Sequence, residues 1–247
     1  MISVCMATYN GEKYLRQQID SILSQLGNDD ELIISDDGST DGTLVLIKEI
    51  NDDRIKLYNH LSAFPKKKKL LDLHTINHYI SYNFLNSLNK AKGDYIFLSD
   101  QDDIWYATKI KISMDALKKS DMIMSNFSII DQNGNILTER FRNGKPFKDD
   151  FILNALNPHF TGCVMAFKRE ILRYVFPFPK DISCGHDNWI GTCFTKFGKI
   201  MYIDEPLLYH RLHDINNSPL CRKSPNNIAQ KINLRMCLLF NILFKQK

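Results

Sequence analysis

The sequence lacks the features that would assign it to several common protein classes. No stretch approaches about 18 consecutive apolar residues, so we expect no transmembrane helix. The six cysteines are scattered, with no CxxC and no paired Cys/His spacing, which favours reduced thiols over a zinc site. The opening residues, MISVCMATYNG, have no basic stretch ahead of an apolar one. We therefore expect no secretory signal and a cytoplasmic location.

A strong net charge is also missing. The 247 residues carry a formal charge of +4, which is too weak to indicate a nucleic-acid partner, and we expect none. Apolar residues make up 44% of the chain and aromatic residues 11%, which predicts a well-buried core in one sizeable domain. The basic charge is uneven, because residues 222–247 contain basic side chains and no acidic one: Arg222, Lys223, Lys231, Arg235, Lys245 and Lys247.

Short apolar runs alternate with helical periodicity in the first 105 residues. Runs at 2–6, 31–35, 55–58 and 95–99 predict strands, and the apolar spacing between them predicts helices. Polar residues that can bind ligands follow these strands, and ligands bind outside the carboxyl ends of parallel strands. The pattern therefore predicts an α/β fold with a mainly parallel central sheet flanked by helices.

The rest of the chain is less regular. Its apolar runs predict strands at 122–130, 163–167 and 199–203 and helices at 110–117, from 168, and at 185–197. The stretch 140–160 contains Pro, Asn and Lys and predicts a surface loop. In the basic C-terminal segment, Ile228, Ile232, Leu239 and Leu243 lie roughly along one face of a predicted helix.

Three carboxylates follow the predicted strand at 95–99: Asp100, Asp102 and Asp103. Carboxylates so close together repel one another, so a divalent cation, basic side chains or water must balance them. Two carboxylates at i and i+2 on a turn suit Mg²⁺ or Mn²⁺, which prefer oxygen ligands. The alternative is a solvated turn or the start of a helix, where Asp is stabilised without a ligand.

Four further clusters are candidates for binding or catalysis. In DDGST (36–40), the aspartates can accept hydrogen bonds from a base or a ribose, or can simply hold a turn. ATYNG (7–11) offers backbone amides and an aromatic face. Asp187 in GHDNW can cap the predicted helix or act as a general base. His213 in YHRLHD can be a metal ligand or a structural histidine.

The order of these motifs is more specific than any one of them. TYNGEKYLRQQIDSILSQ, ISDDGSTDGT, KGDYIFLSDQDDIW, FTGCVMAFKREIL, GHDNW and LYHRLHDINNS follow one another over roughly residues 2–218. In this order they resemble an inverting glycosyltransferase of family 2, which has the GT-A fold. The similarity is greatest to the bacterial surface-polysaccharide branch, with its rhamnosyltransferases and hexosyltransferases of O-antigen, lipopolysaccharide and capsule assembly.

The resemblance implies a metal-dependent, inverting transfer of a hexose or deoxyhexose. The donor would be a UDP- or dTDP-sugar, and the acceptor would be lipid-linked or an oligosaccharide. The resemblance assigns donor binding to Thr8, Tyr9, Asp36, Asp37 and Asp100, the Mn²⁺ or Mg²⁺ site to Asp102, Asp103 and His213, and the role of base to Asp187. Either Asp102 or Asp103 would be the direct metal ligand.

We expect the glycosyltransferase domain to span residues 1–220, with a nucleotide-binding half at 1–105 and an acceptor half at 106–220. A basic helix at 221–247 would follow and could contact the cytoplasmic face of the inner membrane. The sequence departs from the family pattern in two places. About fifteen extra residues containing KKKK (66–69) precede the helix of YNFLNSLNKAKGDY, and HD replaces the more widespread ED at the base.

Two other functions are weighed against this one. A nucleotidyltransferase shares metal-binding aspartates but should have a Gly-rich, basic phosphate loop after the first strand, and ATYNGEKYL is poor in both. A non-catalytic nucleotide-sugar-binding module would be expected to lack Asp102 or Asp187, yet both are present.

Overall fold

A computed structural model describes residues 1–60, 73–179, 184–213 and 228–244 of the chain. The strands of this part are β1 (Ile2–Thr8), β2 (Glu31–Asp36), β3 (Ile55–Asn59), β4 (Tyr95–Ser99), β5 (Ile104–Trp105), β6 (Met122–Ile130), β7 (Ile136–Thr138), β8 (Met165–Lys168) and β9 (Ile200–Arg211). Its helices are α1 (Leu15–Leu23), α2 (Thr43–Ile50), α3 (Leu73–Lys90), α4 (Lys109–Leu117), α5 (Phe151–Leu156), α6 (Leu172–Val175), α7 (His186–Phe197) and α8 (Ile228–Leu243). The predicted α/β fold is confirmed.

The strands form one mixed sheet in the order β3-β2-β1-β4-β8-β6-β9-β5, with β7 paired to β6. The first four strands are parallel, as expected from their order with intervening helices. The strand β8 then runs antiparallel to both of its neighbours, β4 and β6. Because β1, β2 and β4 are parallel and adjacent, their carboxyl ends meet at one edge of the sheet.

Burial explains why these segments form strands and helices. Val4, Ile33 and Phe97 lie in central strands and are 0% exposed, as is typical of parallel strands covered on both faces. Helix α1 buries Leu15, Gln18, Ile19 and Ile22, which share one helical face. The polar Gln18 is accommodated there because its Nε2 donates to Ser99 Oγ at 2.7 Å.

The last strand is longer than predicted. The sequence pattern predicted an end at residue 203, but β9 continues to Arg211 because its second part pairs with β6 and also with β5. Shifts in register near Asn126 accommodate this extension. Strand β8 is shorter than predicted and begins at Met165, since Gly162–Val164 forms a 3₁₀ turn. The extended β9 carries His210 and Arg211 to the aspartate cluster.

The segment 140–160 is not wholly irregular. It contains α5, which begins after Asp150, whose carboxylate accepts a hydrogen bond from the Leu153 amide at 2.8 Å. Helix α3 begins at Leu73, well before the apolar face at Phe84 from which it was predicted, and it packs on β1 and β2. The KKKK stretch at 66–69 lies outside the described residues.

Helix α8 packs through a different face from the one predicted. Leu238 and Ile242 are 1% and 0% exposed, whereas Ile232 and Leu243 are 53% and 44% exposed. The Lys196 ammonium group donates to the carbonyls of Ile242 and Leu243, at 2.7 and 3.1 Å, and so holds the end of the helix. None of the described helices has both the length and the apolar character needed to cross a bilayer.

Candidate active site

A cavity of about 410 Å³ opens at the carboxyl ends of the parallel strands. It brings together residues that are far apart in the sequence: Thr8, Tyr9, Asp37, Asp100, Asp102 and Asp187 all line it. A larger cavity of about 650 Å³ lies beside Asp94 and Tyr95, at the amino end of β4, and none of the predicted site residues lines it. The smaller cavity is therefore the candidate active site, because ligands of such sheets bind at the carboxyl ends of the strands.

Thr8 and Asp36 fix the conformation of the chain where β1 and β2 end at the cavity. They are paired in register on β1 and β2, and Thr8 Oγ1 donates to Asp36 Oδ2 at 3.1 Å. Asp36 Oδ1 also accepts from the amides of Gly38 and Ser39, at 3.1 and 2.9 Å. Asp36 is 1% exposed and does not line the cavity, whereas its neighbour Asp37 does. Asp36 thus organises the turn that presents Asp37.

Two side chains that were not predicted fix the segment after β1. Gln101 accepts from the Tyr9 amide at 2.9 Å and donates to the Tyr9 carbonyl at 3.2 Å. Asn83 of α3 donates to the Thr8 carbonyl at 3.1 Å. These bonds join the β1 and β4 ends across the cavity. Gln101 lies inside the SDQDD motif, so its position was a signal that sequence reasoning could have used.

Asp102, which lines the cavity, forms a close pair with His213, which is not among the lining residues. His213 Nε2 lies 2.8 Å from Asp102 Oδ2, and the two side chains are 11% and 17% exposed. The His213 ring packs against Tyr14, with ring centroids 4.9 Å apart. Arg211, which was also not predicted, donates to the Asp102 carbonyl at 3.1 Å and to Gln17 Oε1 at 2.7 Å. The turn that carries Asp102 is therefore held from β9.

Asp103 is placed quite differently from Asp102. It is 0% exposed, does not line the cavity, and its Oδ1 lies 2.9 Å from His210 Nδ1. Burial opposes charge on both groups, but their mutual attraction outweighs it: the pKa of Asp103 is lowered and that of His210 is raised to about 9. The Arg211 amide also donates to Asp103, at 3.3 Å. The negative charge of Asp103 is thus balanced by His210 inside the protein.

Asp100 lies near both of these pairs, and the negative charges of Asp103 and Asp102 disfavour its ionised form. Burial, followed by the negative charges of Asp103 and Asp102, raises the pKa of Asp100 to about 8. A divalent cation beside Asp102 would offset this excess negative charge, and carboxylate and imidazole are ligands that Mn²⁺ accepts. Asp100, Asp103, Cys163 and His210 also lie close enough together to hold an ion. That group is less suited, because His210 already balances Asp103.

Asp187 lies in the first turn of α7 and lines the same cavity. Burial raises its pKa to about 6, although the Asn188 amide donates to its carboxylate at 2.7 Å. Gly185 precedes the helix with φ of +89°, and a Cβ there would lie 2.6 Å from Asp187 Oδ1. Its neighbour His186 stacks on Phe84, and burial lowers the pKa of His186 to about 3. The carboxylate is therefore the group at this position that can accept a proton near neutral pH.

Comparison with known proteins finds glycosyltransferases. The family model for Glycosyl transferase family 2 matches residues 3–176. The dTDP-rhamnosyl transferase RfbG of Shigella flexneri is 30% identical over 85% of this chain and 72% of its own length. The UDP-Glc:alpha-D-GlcNAc-diphosphoundecaprenol beta-1,3-glucosyltransferase WfgD of Escherichia coli is 30% identical over 72% of this chain and 64% of its own. An uncharacterized glycosyltransferase of Nostoc is 29% identical, with 87% and 66% covered. The chain thus spans about two thirds of the length of these relatives.

Solved structures show the same fold. Staphylococcus aureus TarS 1-349 in complex with UDP-GlcNAc matches with a TM-score of 0.69 at 17% identity, over 97% of this chain and 66% of that one. The mannosyltransferase PcManGT of Pyrobaculum calidifontis, in complex with GDP-Man and Mn²⁺, matches with a TM-score of 0.60 at 20% identity, over 87% and 58%. The expected GT-A fold is therefore confirmed.

Proposed function

Because the chain belongs to glycosyltransferase family 2, we propose that it transfers a hexose or deoxyhexose from a nucleotide sugar to a glycan acceptor. The observation that carries this proposal is the single cavity that Asp37, Asp102 and Asp187 line together. The names of two relatives, a dTDP-rhamnosyl transferase and a UDP-glucose-dependent glucosyltransferase, support a UDP- or dTDP-sugar as the donor. They also support a role in bacterial surface-polysaccharide synthesis.

The donor binds at the β1, β2 and β4 edge. Thr8 and Asp36 hold the turn, Tyr9 and Asp37 contact the nucleoside, and Asp100 contacts the ribose or the donor sugar. Asp37 and Tyr9 both line the cavity, which supports these assignments. A carboxylate at position 37 can accept hydrogen bonds from a base or from ribose hydroxyls.

Asp102 and His213 would hold a Mn²⁺ or Mg²⁺ ion, and Asp103 would support them through its pairing with His210. The 2.8 Å approach of Asp102 to His213 and the 0% exposure of Asp103 support Asp102 as the direct ligand. A divalent ion at this position, when bound, offsets the negative charge that develops on the leaving nucleoside diphosphate.

Asp187 acts as the general base. Its carboxylate takes the proton from the attacking acceptor hydroxyl, and the acceptor oxygen bonds to the anomeric carbon from the side opposite the leaving group. The bond from that carbon to the diphosphate oxygen breaks, and its electron pair departs with the nucleotide. This single displacement inverts the anomeric carbon, so an α-linked donor gives a β product and a β-L-rhamnosyl donor gives an α product.

A lipid-linked acceptor would place the enzyme at the cytoplasmic face of the inner membrane. Exposed apolar side chains gather on α5 and α8, two helices in mutual contact: Ile152, Leu153, Leu156, Ile232, Met236, Phe240, Leu243 and the adjoining Phe244. Residues 222–247 add basic charge without a single acid. Apolar side chains combined with basic charge suit the surface of an anionic bilayer. We propose that this face, the α5–α8 face, contacts the membrane peripherally.

A donor screen tests the function. The protein is incubated with UDP-, dTDP- and GDP-sugars with Mn²⁺ or EDTA, and release of the nucleoside diphosphate is measured. We expect Mn²⁺-dependent hydrolysis of one donor class, which Asp187→Asn greatly slows. Asp115→Asn, at a side chain that is 62% exposed on α4, is the matched control and should behave as the wild type. Hydrolysis by Asp187→Asn at the wild-type rate would contradict the role of the base.

A further inference from the structure

Arg142 lies in the wall of the cavity at a position that no part of the donor site uses. It shares this part of the wall with Pro158, His159 and Phe160. Its backbone is fixed by Asn126 of β6, whose Oδ1 accepts from the Arg142 amide at 3.1 Å and whose Nδ2 donates to the Arg142 carbonyl at 2.8 Å. Arg142 is therefore held by backbone hydrogen bonds on the segment between β7 and α5, and it lines the cavity.

The guanidinium of Arg142 has no anionic partner among the described residues, although its carbon lies over the Phe141 ring, 5.4 Å from the ring centroid. None of the ion pairs formed by the described residues includes it, and its Nε is buried without a hydrogen-bond acceptor. Burial lowers the pKa of the guanidinium. By contrast Arg140, two residues earlier, pairs with Asp204 at 2.8 Å. A half-buried cation without an anion is costly, so a bound anion would be strongly favoured at Arg142.

A second basic side chain lies near the same part of the cavity. The pKa of His159 is lowered by burial and then by the positive charges of Arg142 and of Arg235 on α8, so both arginines lie within electrostatic reach of that ring. Two of the four carboxylates that line the cavity are engaged elsewhere: Asp102 with His213 and Asp187 with the Asn188 amide. Because no carboxylate of the described residues pairs with Arg142, we look to a ligand for the anion.

We propose that Arg142 binds a phosphate group carried by the acceptor. This inference rests on the proposed function and names the acceptor class, a glycan attached through a phosphate or diphosphate. The acceptor and not the donor is assigned because Arg142 lies beside Pro158 and Phe160, whereas the donor residues come from the ends of β1, β2 and β4. A planar guanidinium binds phosphate through two parallel hydrogen bonds. The α5–α8 face adjoins this segment, so a lipid attached to the same phosphate would lie towards that face.

The test is a calorimetric titration of the whole protein, saturated with Mn²⁺ and the nucleoside diphosphate it prefers, so that the donor phosphate site is filled. The probes are citronellyl diphosphate, inorganic pyrophosphate and uncharged citronellol. We expect citronellyl diphosphate to bind and citronellol to bind far more weakly. Arg142→Gln should weaken citronellyl diphosphate at least tenfold, and Arg142→Lys should weaken it less. Arg140→Gln is the matched control and should stay within twofold of the wild type.

Two outcomes would overturn the assignment. One is wild-type affinity for citronellyl diphosphate in Arg142→Gln. The other is an equal loss of nucleoside diphosphate affinity in Arg142→Gln, which would assign the guanidinium to the donor. Equal affinity for pyrophosphate and citronellyl diphosphate supports a site for the phosphate alone, and weaker pyrophosphate supports a lipid diphosphate. Failure of the proposed function would give a different result: neither the wild type nor any variant would bind a nucleoside diphosphate with Mn²⁺. In that case the phosphate probes are titrated into the protein without nucleotide.

Discussion

His213 Nε2 lies 2.8 Å from Asp102 Oδ2, although the two residues are 111 positions apart in the chain. The approach joins the turn after β4 to the chain two residues beyond the end of β9. Asp103, the next residue, faces the interior and pairs with His210 instead. Two adjacent carboxylates of one motif therefore have separate environments, and they should respond differently to the same substitution.

Asp103→Asn should destabilise the fold, whereas Asp102→Asn should not. Removing the Asp103 charge leaves His210 buried without its counter-ion, which costs about 3 kcal/mol of unfolding free energy. Asp102 is partly exposed, and its loss should cost about 1 kcal/mol or less. Urea unfolding in EDTA measures both values. Equal destabilisation by the two variants would contradict this division of roles.

Gly185→Ala should impair catalysis because it displaces the base. The added Cβ would lie 2.6 Å from Asp187 Oδ1, and moving a catalytic group by about 1 Å costs on the order of 100-fold in rate. Gly134→Ala is a matched control: Gly134 also has a positive φ, +92°, but no atom lies within 4 Å of its Cβ position.

Both glycine variants should lose stability, on the order of 1–3 kcal/mol, because each puts alanine at a positive φ, and the backbone of Gly185, with ψ of +145°, lies near a region almost restricted to glycine. The measurements are the unfolding free energy and the rate of donor turnover for each variant. A loss of activity in Gly134→Ala equal to that in Gly185→Ala would show that backbone strain, and not the contact with Asp187, is responsible.

The pH dependence of turnover should follow Asp187. Burial raises its pKa to about 6, and only the deprotonated carboxylate can accept the acceptor proton. The rate should therefore fall about tenfold per pH unit below pH 6, whereas any dependence near pH 8 would come from Asp100, whose pKa is raised to about 8. Initial rates at saturating donor, with circular dichroism to verify folding at each pH, provide the profile. A rate that stays level down to pH 4.5 would argue against Asp187 as the base.

The α5–α8 face should bind anionic vesicles. We expect flotation with vesicles containing phosphatidylglycerol, weaker flotation with phosphatidylcholine alone, and about a tenfold loss on changing both Phe240 and Phe244 to Ser. The control changes Ile136 and Leu137 of β7 to Ser, since these are 54% and 58% exposed but lie on another element. Equal flotation of the two double variants would rule out this contact, and so would wild-type flotation of a variant that lacks residues 222–247.

Much of the parallel half could be predicted because each of its strands is a local apolar run that ends in polar residues. The strand at 95–99 and the helix at 186–197 follow such local patterns closely. The length of β9 depends on pairing with β6 and β5, which no local pattern reports. The buried face of α8 depends on its contact with α5 and α7, and spacing alone selected side chains that prove exposed.

The candidate site, too, could be predicted only in part. The residue types and their order predicted a cluster at the strand ends, and Thr8, Tyr9, Asp37, Asp100, Asp102 and Asp187 do line one cavity. The separation of Asp102 from Asp103 could not be predicted, because it depends on His210 and His213, which reach the cluster only through the extended β9. Arg142 gave no sequence signal, since its significance lies in the absence of an anionic partner among the described residues.

The most direct test is the affinity for a nucleoside diphosphate with and without Mn²⁺, measured by calorimetry in the wild type and in Asp102→Asn. We predict that one of UDP, dTDP or GDP binds more tightly with Mn²⁺, and that Asp102→Asn weakens this Mn²⁺-dependent binding at least tenfold while the fold stays intact. Equal affinity for the nucleoside diphosphate with and without Mn²⁺, or wild-type affinity in Asp102→Asn, would contradict a metal-dependent donor site at Asp102 and His213.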